Sequence, residues 1–300
     1  MSDFLSYHAG ELEVQARAGV GSGGLAARDM YRSEMPSGVQ RFLAHQQLAV
    51  FSTRDSDGRI WASLRSGEEG FVRALNEVTV EIGGYSHPDD VLLKNLTTET
   101  QAGMLVIDLA ARHRLRLNGS AQLGKNGKIT LITQQVYGNC PQYIQAREIV
   151  TMAAPEDTMS VSATTLDAAQ QRRIEIADTF FIASAHPVSG ADASHRGGKP
   201  GFIRVENNSR LLFPDYSGNK MFNTLGNIAA DPHAGLLIPD FETGEALQVS
   251  GQATILWNDP GVRDFPGAQR IVAFDVERVV ELRPATLLRF EFRGYSPVLT

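Results

Sequence analysis

The side chains best suited to binding chemistry lie in a short glycine-rich segment in the second half of the chain. Ser194, His195 and Arg196 are followed there by Gly197-Gly198 and a lysine. Glycines let a backbone approach an anion closely, and successive N–H groups can form a concave anion site. An arginine can bind phosphate through two N–H groups, and a lysine adds a point charge. The segment therefore predicts a phosphate site, although Gly-Gly pairs beside a solvated basic residue are more often ordinary turns.

A second group of polar side chains follows the glycine-rich segment along the chain. Asn219 and Lys220 come first, and Asn223, Thr224 and Asn227 follow. Because Asn223 and Asn227 are four residues apart, they would share one face of a helix. Polar donors from three stretches of chain could thus converge on one ligand.

The first half of the chain carries a divergent copy of the second half. Four blocks of sequence recur in the same order with nearly constant spacing, which chance does not readily produce. The blocks pair residues 62–67 with 193–198, 70–73 with 201–204, 102–108 with 234–240 and 115–121 with 247–253. Where the second copy has Lys199, the first has the two carboxylates Glu68 and Glu69, which would repel a phosphate. The second copy is therefore the one predicted to bind a ligand.

The elements that must position these side chains are short strands separated by turns. Runs rich in β-branched and aromatic residues are bounded by Gly, Asn, Asp and Pro in both copies. Each copy opens with a helix-like segment, residues 37–45 and 166–177, and contains a second helical piece, residues 91–97 and 222–229. Many short strands with closely spaced turns favour a barrel over a parallel α/β sheet. The predicted fold class is mainly β with short helices (α+β), in two tandem barrels.

The predicted domain organisation follows from the repeat. Residues 1–35 form an N-terminal extension packed on the body, and residues 36–150 form the first repeat, with a degenerate site. Residues 151–165, rich in Ala, Ser, Thr and Asp, have the composition of an exposed linker. Residues 166–300 form the second repeat, with the ligand site.

Composition and charge narrow the class of partner. The 300 residues carry a net charge of -6 and form no basic field for nucleic acid. No apolar run approaches the roughly 18 residues that span a bilayer, and the N-terminal residues lack the apolar core of a signal peptide. Asp192, His195 and His186 lack the compact spacing of metal ligands, so no metal site is predicted. We expect a cytoplasmic protein that acts on a small molecule, without nucleic-acid or membrane partners.

Two further features have weaker interpretations. The run from Gly19 to Gly24 matches Gly-x-Gly-x-x-Gly, but it follows a helix-like stretch rather than a strand, which favours a loop over a dinucleotide site. Cys140, the single cysteine, precedes a predicted helix at residues 142–149. It would be a buried packing residue there or, less often, a thiol of lowered pKa.

Taken together, these residues resemble the pyridoxamine 5'-phosphate oxidase-like, FMN-binding split-barrel family, and more narrowly its predicted flavin-nucleotide-binding branch. The resemblance rests on Asp192-Ala-Ser-His-Arg-Gly-Gly and on residues 218–227, with support from residues 7–11 and 138–144. It implies two tandem split barrels with an FMN at their junction. In homodimeric relatives the partner subunit supplies the second barrel; here the first copy could do so, or the chain could still dimerise. The residues implied to bind the cofactor are Ser194, His195, Arg196, Gly197, Asn219, Lys220, Asn223, Thr224 and Asn227.

The resemblance also implies a function. It points to an FMN-dependent oxidoreductase that acts on a small molecule, with no evident catalytic acid or base. The C-terminal Trp and Arg pair of the true oxidase is missing, since Leu282-Arg283-Pro284 offers no tryptophan, and oxidation of vitamin B6 phosphates is therefore in doubt. A non-catalytic flavin-binding or storage module, a degenerate barrel pair used for interaction, and haem ligation through a histidine are the alternatives.

Overall fold

A computed structural model describes residues 5–20, 30–154 and 157–299, and within these ranges the protein is mainly β with short helices, as predicted. The helices are α1 (Ala9–Arg17), α2 (Ser37–Ala44), α3 (Val91–Asn95), α4 (Ala168–Ile176), α5 (Asn223–Ala230) and a 3-10 helix (Pro260–Asp264). The strands up to residue 163 are β1 (Leu48–Arg54), β2 (Ile60–Ser66), β3 (Val72–Ala74), β4 (Thr79–Ile82), β5 (Thr100–Asp108), β6 (His113–Leu123), β7 (Ile129–Gly138), β8 (Ala146–Met152) and β9 (Met159–Ala163). The later strands are β10 (Thr179–His186), β11 (Gly190–Gly197), β12 (Arg204–Asn207), β13 (Arg210–Tyr216), β14 (His233–Pro239), β15 (Ala246–Leu256), β16 (Ala268–Arg283) and β17 (Leu288–Gly294).

The two halves of the chain form sheets with the same strand order. The first sheet runs β2-β1-β5-β6-β7-β4-β3, and the second runs β11-β10-β14-β15-β16-β13-β12. Each strand of the first sheet therefore has a counterpart in the second at the same position. The tandem repeat predicted from sequence is confirmed at the level of topology.

The local irregularities of the two sheets also coincide. The β6–β7 pairing shifts register at Gly119, and the β15–β16 pairing shifts at Gly251. A Cβ atom at Gly119 would collide with the carbonyl oxygen of Ile132, and one at Gly251 with that of Asp275. Glycine is needed at both bulges because the neighbouring strand lies too close for a side chain.

The two repeats pack face to face through their first strands. One apolar cluster contains Val50 and Leu64 of the first repeat together with Phe181 and Leu237 of the second. These side chains are almost fully buried, and burial of each large one contributes about 1.5–3 kcal/mol. Each repeat also has its own core on the opposite face of its sheet. The apolar part of the interface between the repeats is therefore buried as completely as a domain interior.

Equivalent strands of the two repeats also pair with each other. β8 and β17 form a two-stranded antiparallel sheet in which Glu148 lies opposite Glu291. Gly103 of β5 packs against the backbone of Asp192, and its counterpart Gly235 packs against the backbone of Trp61. These reciprocal contacts give the chain the internal twofold arrangement of a dimer.

Two sequence expectations differ from the structure. The predicted linker, residues 151–165, is largely exposed, but it contains the end of β8 and all of β9, which pairs with β16. The helix predicted at residues 142–149 is wrong, since β8 begins at Ala146, and Cys140 is exposed rather than packed under a helix. A strand was hard to predict here because β8 shows little of the alternation of buried and exposed residues that marks a strand in a sequence. It is stabilised mainly by pairing with β17, and the periodicity of the sequence does not reveal such a partner.

The N-terminal segment contributes one further element to the body. Helix α1 packs on helix α5 of the second repeat, and Tyr31 inserts between the repeats beside Tyr137. Of the run from Gly19 to Gly24, only Gly19 and Val20 lie within the described residues. No helix in the described ranges is long and apolar enough to cross a membrane.

Candidate ligand-binding cleft

A cleft of about 290 Å³ opens between the two repeats beside the strand that carries Arg196. Its walls come from three parts of the chain. The second repeat contributes residues of β11, the loop before α5 and the first turn of α5; the first repeat contributes Arg114 and Arg116 of β6; and the N-terminal segment contributes residues 18–20. Small-molecule sites typically enclose about 300–1,000 Å³, so the cleft is at the small end of that range.

Most of the predicted cofactor-binding residues meet in this cleft. The lining residues among them are His195, Arg196, Gly197, Asn219, Lys220, Asn223 and Thr224. Ser194 and Asn227 do not line it. Ser194 Oγ is 2.8 Å from Thr224 Oγ1 and donates to Asp192 at 3.0 Å, while Asn227 Nδ2 donates to Ser184 Oγ at 3.0 Å. These two side chains therefore contact residues behind the cleft surface and do not line the cleft.

Two arginines contact the buried residue His195. Arg114 Nη1 lies 3.1 Å from His195 Nδ1, and Arg196 Nη1 donates to the His195 carbonyl oxygen at 3.0 Å. Burial, together with the guanidinium groups of Arg114 and Arg196, lowers the pKa of His195 well below its ordinary value. The ring is therefore neutral. Because an arginine can only donate, Nδ1 accepts and the proton lies on Nε2, which has no hydrogen-bond partner among the described residues.

The positive charge of the cleft is only partly compensated. Arg116 pairs with Asp192 at 3.2 Å, and Asp215 pairs with Arg270 at 2.8 Å. In the described part of the chain, no carboxylate lies within ion-pair distance of Arg114, which donates instead to the Cys140 carbonyl oxygen at 2.7 Å. Burial, with repulsion from Arg116 and Arg196, lowers the pKa of Arg114 to about 9. An anion in the cleft would relieve this repulsion.

The glycines of the predicted phosphate segment have a packing role. A Cβ atom at Gly197 would collide with the Tyr143 carbonyl oxygen of the first repeat, and one at Gly198 would overlap the Phe202 side chain. Gly67, the counterpart of Gly198, packs against Phe71 in the same way. Close packing therefore explains these glycines without a ligand, and the case for an anion site rests on the cationic side chains.

The backbone around the cleft is strained. Tyr143, Lys220 and Phe222 have φ angles of 66°, 62° and 60°, and all three line the cleft. A left-handed residue other than glycine costs of order 1–3 kcal/mol, and such residues cluster where a ligand is held. The strain supports a functional role for the loop from residue 217 to residue 222.

The equivalent place in the first repeat is filled by protein groups. Arg65, the counterpart of Arg196, donates to the Gly83 carbonyl, to that of Gly84 at 3.3 Å and to that of Gly127 at 2.6 Å. Gln248, the counterpart of Arg116, donates to Ser63 Oγ at 2.9 Å. Arg65 thus donates to three carbonyl oxygens of its own repeat, whereas Arg114 and Arg196 each donate to one carbonyl oxygen.

Sequence reasoning missed the contribution of the first repeat. Arg114 and Arg116 belong to a short basic run, residues 112–116, and the repeat does not mark them, since Gln248 is the counterpart of Arg116. Their alternation within an otherwise apolar strand was the available signal, because two arginines on one strand face need partners or a ligand. The weak metal candidates are also accounted for: Asp192 pairs with Arg116, and His186 stacks on His8 with ring centroids 4.0 Å apart.

Comparison with known proteins agrees with the fold. The sequence profile of the pyridoxamine 5'-phosphate oxidase family matches residues 166–298, nearly the whole second repeat. The match lies in the second repeat alone, so the second repeat is the part of the chain that is similar to this family. No curated protein matches the chain significantly.

Several solved structures match part of the chain with low similarity. HupZ of Group A Streptococcus is 12% identical, with 40% of this chain and 98% of that chain covered and a TM-score of 0.33. A putative pyridoxamine 5'-phosphate oxidase of Lactobacillus delbrueckii is 17% identical, with 39% and 98% covered and a TM-score of 0.31. The FAD-binding protein of Mycobacterium smegmatis is 14% identical, with 41% and 98% covered and a TM-score of 0.27. Similarity of this size does not carry a function from one protein to another.

Proposed function

We propose that the protein binds FMN in the cleft between its repeats, with the flavin phosphate against Arg196 and Lys220, and that it is an oxidoreductase acting on a small molecule. The observation that carries the proposal is the uncompensated positive charge around His195. The similarity of the second repeat to the pyridoxamine 5'-phosphate oxidase family supports it. A second-repeat cofactor site is also consistent with the location of the family match.

The described side chains fit a phosphate ester. Arg196 is half-buried in the cleft and Lys220 is exposed at its wall, so the two can reach one anion from different elements. Arg114 of the first repeat adds a third cation to the lining. Charge-assisted hydrogen bonds contribute about 1.5–3 kcal/mol each. Since the first repeat supplies part of the site, one chain can complete it without a partner subunit, and dimerisation remains a separate proposal.

Bound FMN would supply the hydride and electron chemistry. The protein would orient it and exclude water through the buried apolar inter-repeat core. Burial and the neighbouring arginines keep His195 neutral, so it would not act as an imidazolium acid toward the bound group. The alternative is a non-catalytic module that binds or stores flavin. Cytoplasmic location, and the absence of nucleic-acid and membrane partners, remain expectations.

The test is a comparison of FMN and riboflavin binding by titration calorimetry. Riboflavin lacks the phosphate, so the wild type should bind FMN far more tightly than riboflavin. Arg196→Glu should weaken FMN binding by at least about 100-fold and remove the preference, because it replaces a cationic hydrogen-bond donor with a carboxylate. Lys199→Glu is the matched control, since Lys199 is exposed, adjacent in sequence and does not line the cleft. Arg65→Glu is less informative, because Arg65 is buried and its loss would disturb folding.

The proposal fails if purified protein takes up no FMN, or if Arg196→Glu and Lys199→Glu weaken binding equally. To separate an enzyme from a storage module, the bound flavin should be reduced and its reoxidation followed with a panel of small-molecule acceptors. Rapid reoxidation by one acceptor supports an oxidoreductase. Slow reoxidation by every acceptor, at the rate of free FMN, supports storage.

A further inference from the structure

Met221 is the fully buried anchor of the loop that carries Lys220; Ser217 and Phe222 contribute further contacts through their carbonyl oxygens, which accept from Tyr143 Oη at 2.9 Å and the Gly226 N–H at 2.7 Å. Met221 lies between Lys220 and Phe222, which both have left-handed backbones. Its side chain is fully buried in a small cluster with Tyr31 and Tyr137. Its N–H donates to Asn219 Oδ1 at 3.1 Å. The two strained residues thus flank a buried residue that fixes the chain between them.

The N-terminal segment holds Met221 by its backbone as well. Gln15 of helix α1 donates its amide Nε2 to the Met221 carbonyl oxygen at 3.2 Å. Tyr31, which packs on the Met221 side chain, also belongs to this segment. Residues that precede the first repeat therefore contact Met221 twice, through a hydrogen bond to its main chain and through packing on its side chain.

Helix α1 is itself fixed to the second repeat with little freedom to move. Gly10 and Gly226 cross so closely that a Cβ atom on Gly10 would collide with the Gly226 carbonyl oxygen. Glu11, which is 3% exposed, accepts a hydrogen bond from Asn223 Nδ2 at 2.6 Å. His8 caps the helix and lies 2.9 Å from Asn227 Oδ1. These contacts position Gln15 opposite Met221.

We propose that the N-terminal segment, residues 5–20 with Tyr31, is a clamp that holds the loop of residues 217–222 in its ligand-binding conformation, and that Gln15 is its positioning residue. This inference rests on the proposed binding of FMN, because that proposal is the reason why Lys220 would need to be held at the cleft. Without the Gln15 hydrogen bond, Lys220 and Phe222 would relax toward ordinary backbone angles. Lys220 would then leave the wall of the cleft, and the phosphate would lose one cation.

The test compares two variants of helix α1 that introduce the same side chain. Gln15→Met removes the donor but keeps the length of the side chain, and Glu13→Met places methionine on the exposed face as the control. Gln15→Met should raise the FMN dissociation constant by about three- to tenfold, mainly through faster release, the loss expected for one hydrogen bond. Glu13→Met should leave it unchanged. Gln15→Lys, which restores a donor, should recover part of the affinity.

Amide hydrogen exchange of the ligand-free proteins gives an independent measurement. Residues 217–222 should exchange faster in Gln15→Met than in wild type and Glu13→Met, while the strands of both sheets keep their protection. If Gln15→Met binds FMN with the wild-type affinity and its residues 217–222 exchange at the wild-type rate, the proposed clamp is wrong. Failure of the wild type to take up FMN would instead overturn the proposed function and the ligand-binding purpose of the clamp, and the exchange experiment would still decide whether Gln15 holds the loop.

Discussion

The buried carboxyl group of Glu11 should make the stability of the protein depend on pH. The Glu11 side chain lies on the buried face of helix α1 and Glu11 is 3% exposed. Its carboxyl group accepts hydrogen bonds from the His8 N–H at 2.9 Å, Tyr31 Oη at 3.2 Å and Asn223 Nδ2 at 2.6 Å. Burial outweighs these donors and raises its pKa from 4.5 to about 7. The folded protein therefore retains this proton at pH values where the unfolded chain has lost it.

The size of the effect follows from the two pKa values. A rise from 4.5 to about 7 corresponds to about 3 kcal/mol. Because the folded pKa is the higher one, the contribution is fully present below about pH 4.5 and is lost as pH rises to about 7. Most of the loss, about 2 kcal/mol, should fall between about pH 5 and pH 7. Glu11→Gln mimics the neutral carboxyl and should remove this slope.

The assay is urea unfolding of wild type and Glu11→Gln across this pH range, with the difference in the free energy of unfolding taken at each pH. The difference is needed because burial and His186 lower the pKa of His8 to about 4, which makes stability rise with pH. Relative to wild type, Glu11→Gln should gain about 2 kcal/mol from about pH 5 to pH 7. Glu13→Gln, on the exposed face of the same helix, is the control and should show no such gain. A difference that does not change with pH, or an equal gain in Glu13→Gln, would refute the reasoning.

Two further predictions concern the packing of helix α1 and the charge of the cleft. Gly10→Ala should lower the free energy of unfolding by about 1–3 kcal/mol, because its Cβ meets the backbone of Gly226, and chemical denaturation measures this. Arg114→Gln should raise the stability of the ligand-free protein, because it removes an uncompensated cation, yet weaken FMN binding by about tenfold or more. Denaturation and calorimetry on the same samples test both parts.

Each of these variants has an internal control. Gly38→Ala places a methyl group where nothing but the end of the Arg41 side chain lies within 4 Å, so it should be neutral or slightly stabilising. Equal destabilisation by Gly38→Ala would show that the Gly10 effect is not a collision. For Arg114→Gln, riboflavin affinity should change much less than FMN affinity. A parallel loss of both would place Arg114 outside the phosphate site.

The fold was largely predictable because the signals of the repeat lie in short stretches of sequence. Turn residues, short β-rich runs and paired blocks such as residues 115–121 and 247–253 depend on neighbours along the chain. Helices α2, α4 and α5 were predictable for the same reason. β8 was not, because it forms by pairing with β17 from the other repeat, and no local pattern reports such a partner.

The site was predictable only in its second-repeat half. The chemical types of Arg196, Lys220 and Asn223 indicate anion binding by themselves, and the structure brings them to one cleft. Sequence could not show that Asn223 would be engaged by Glu11, or that Gly197 is required by the backbone of Tyr143. Both contacts join residues far apart in the chain.

The sequence by itself determined that this protein is a tandem pair of β units with one cationic, glycine-rich segment. Residue type and local spacing are enough to establish both. Only the tertiary structure decided that the first repeat completes the cleft with Arg114, and that helix α1 holds Met221. The physical reason is that charge compensation and burial depend on which surfaces pack together. An arginine without a carboxylate partner can be recognised only when all its neighbours are known.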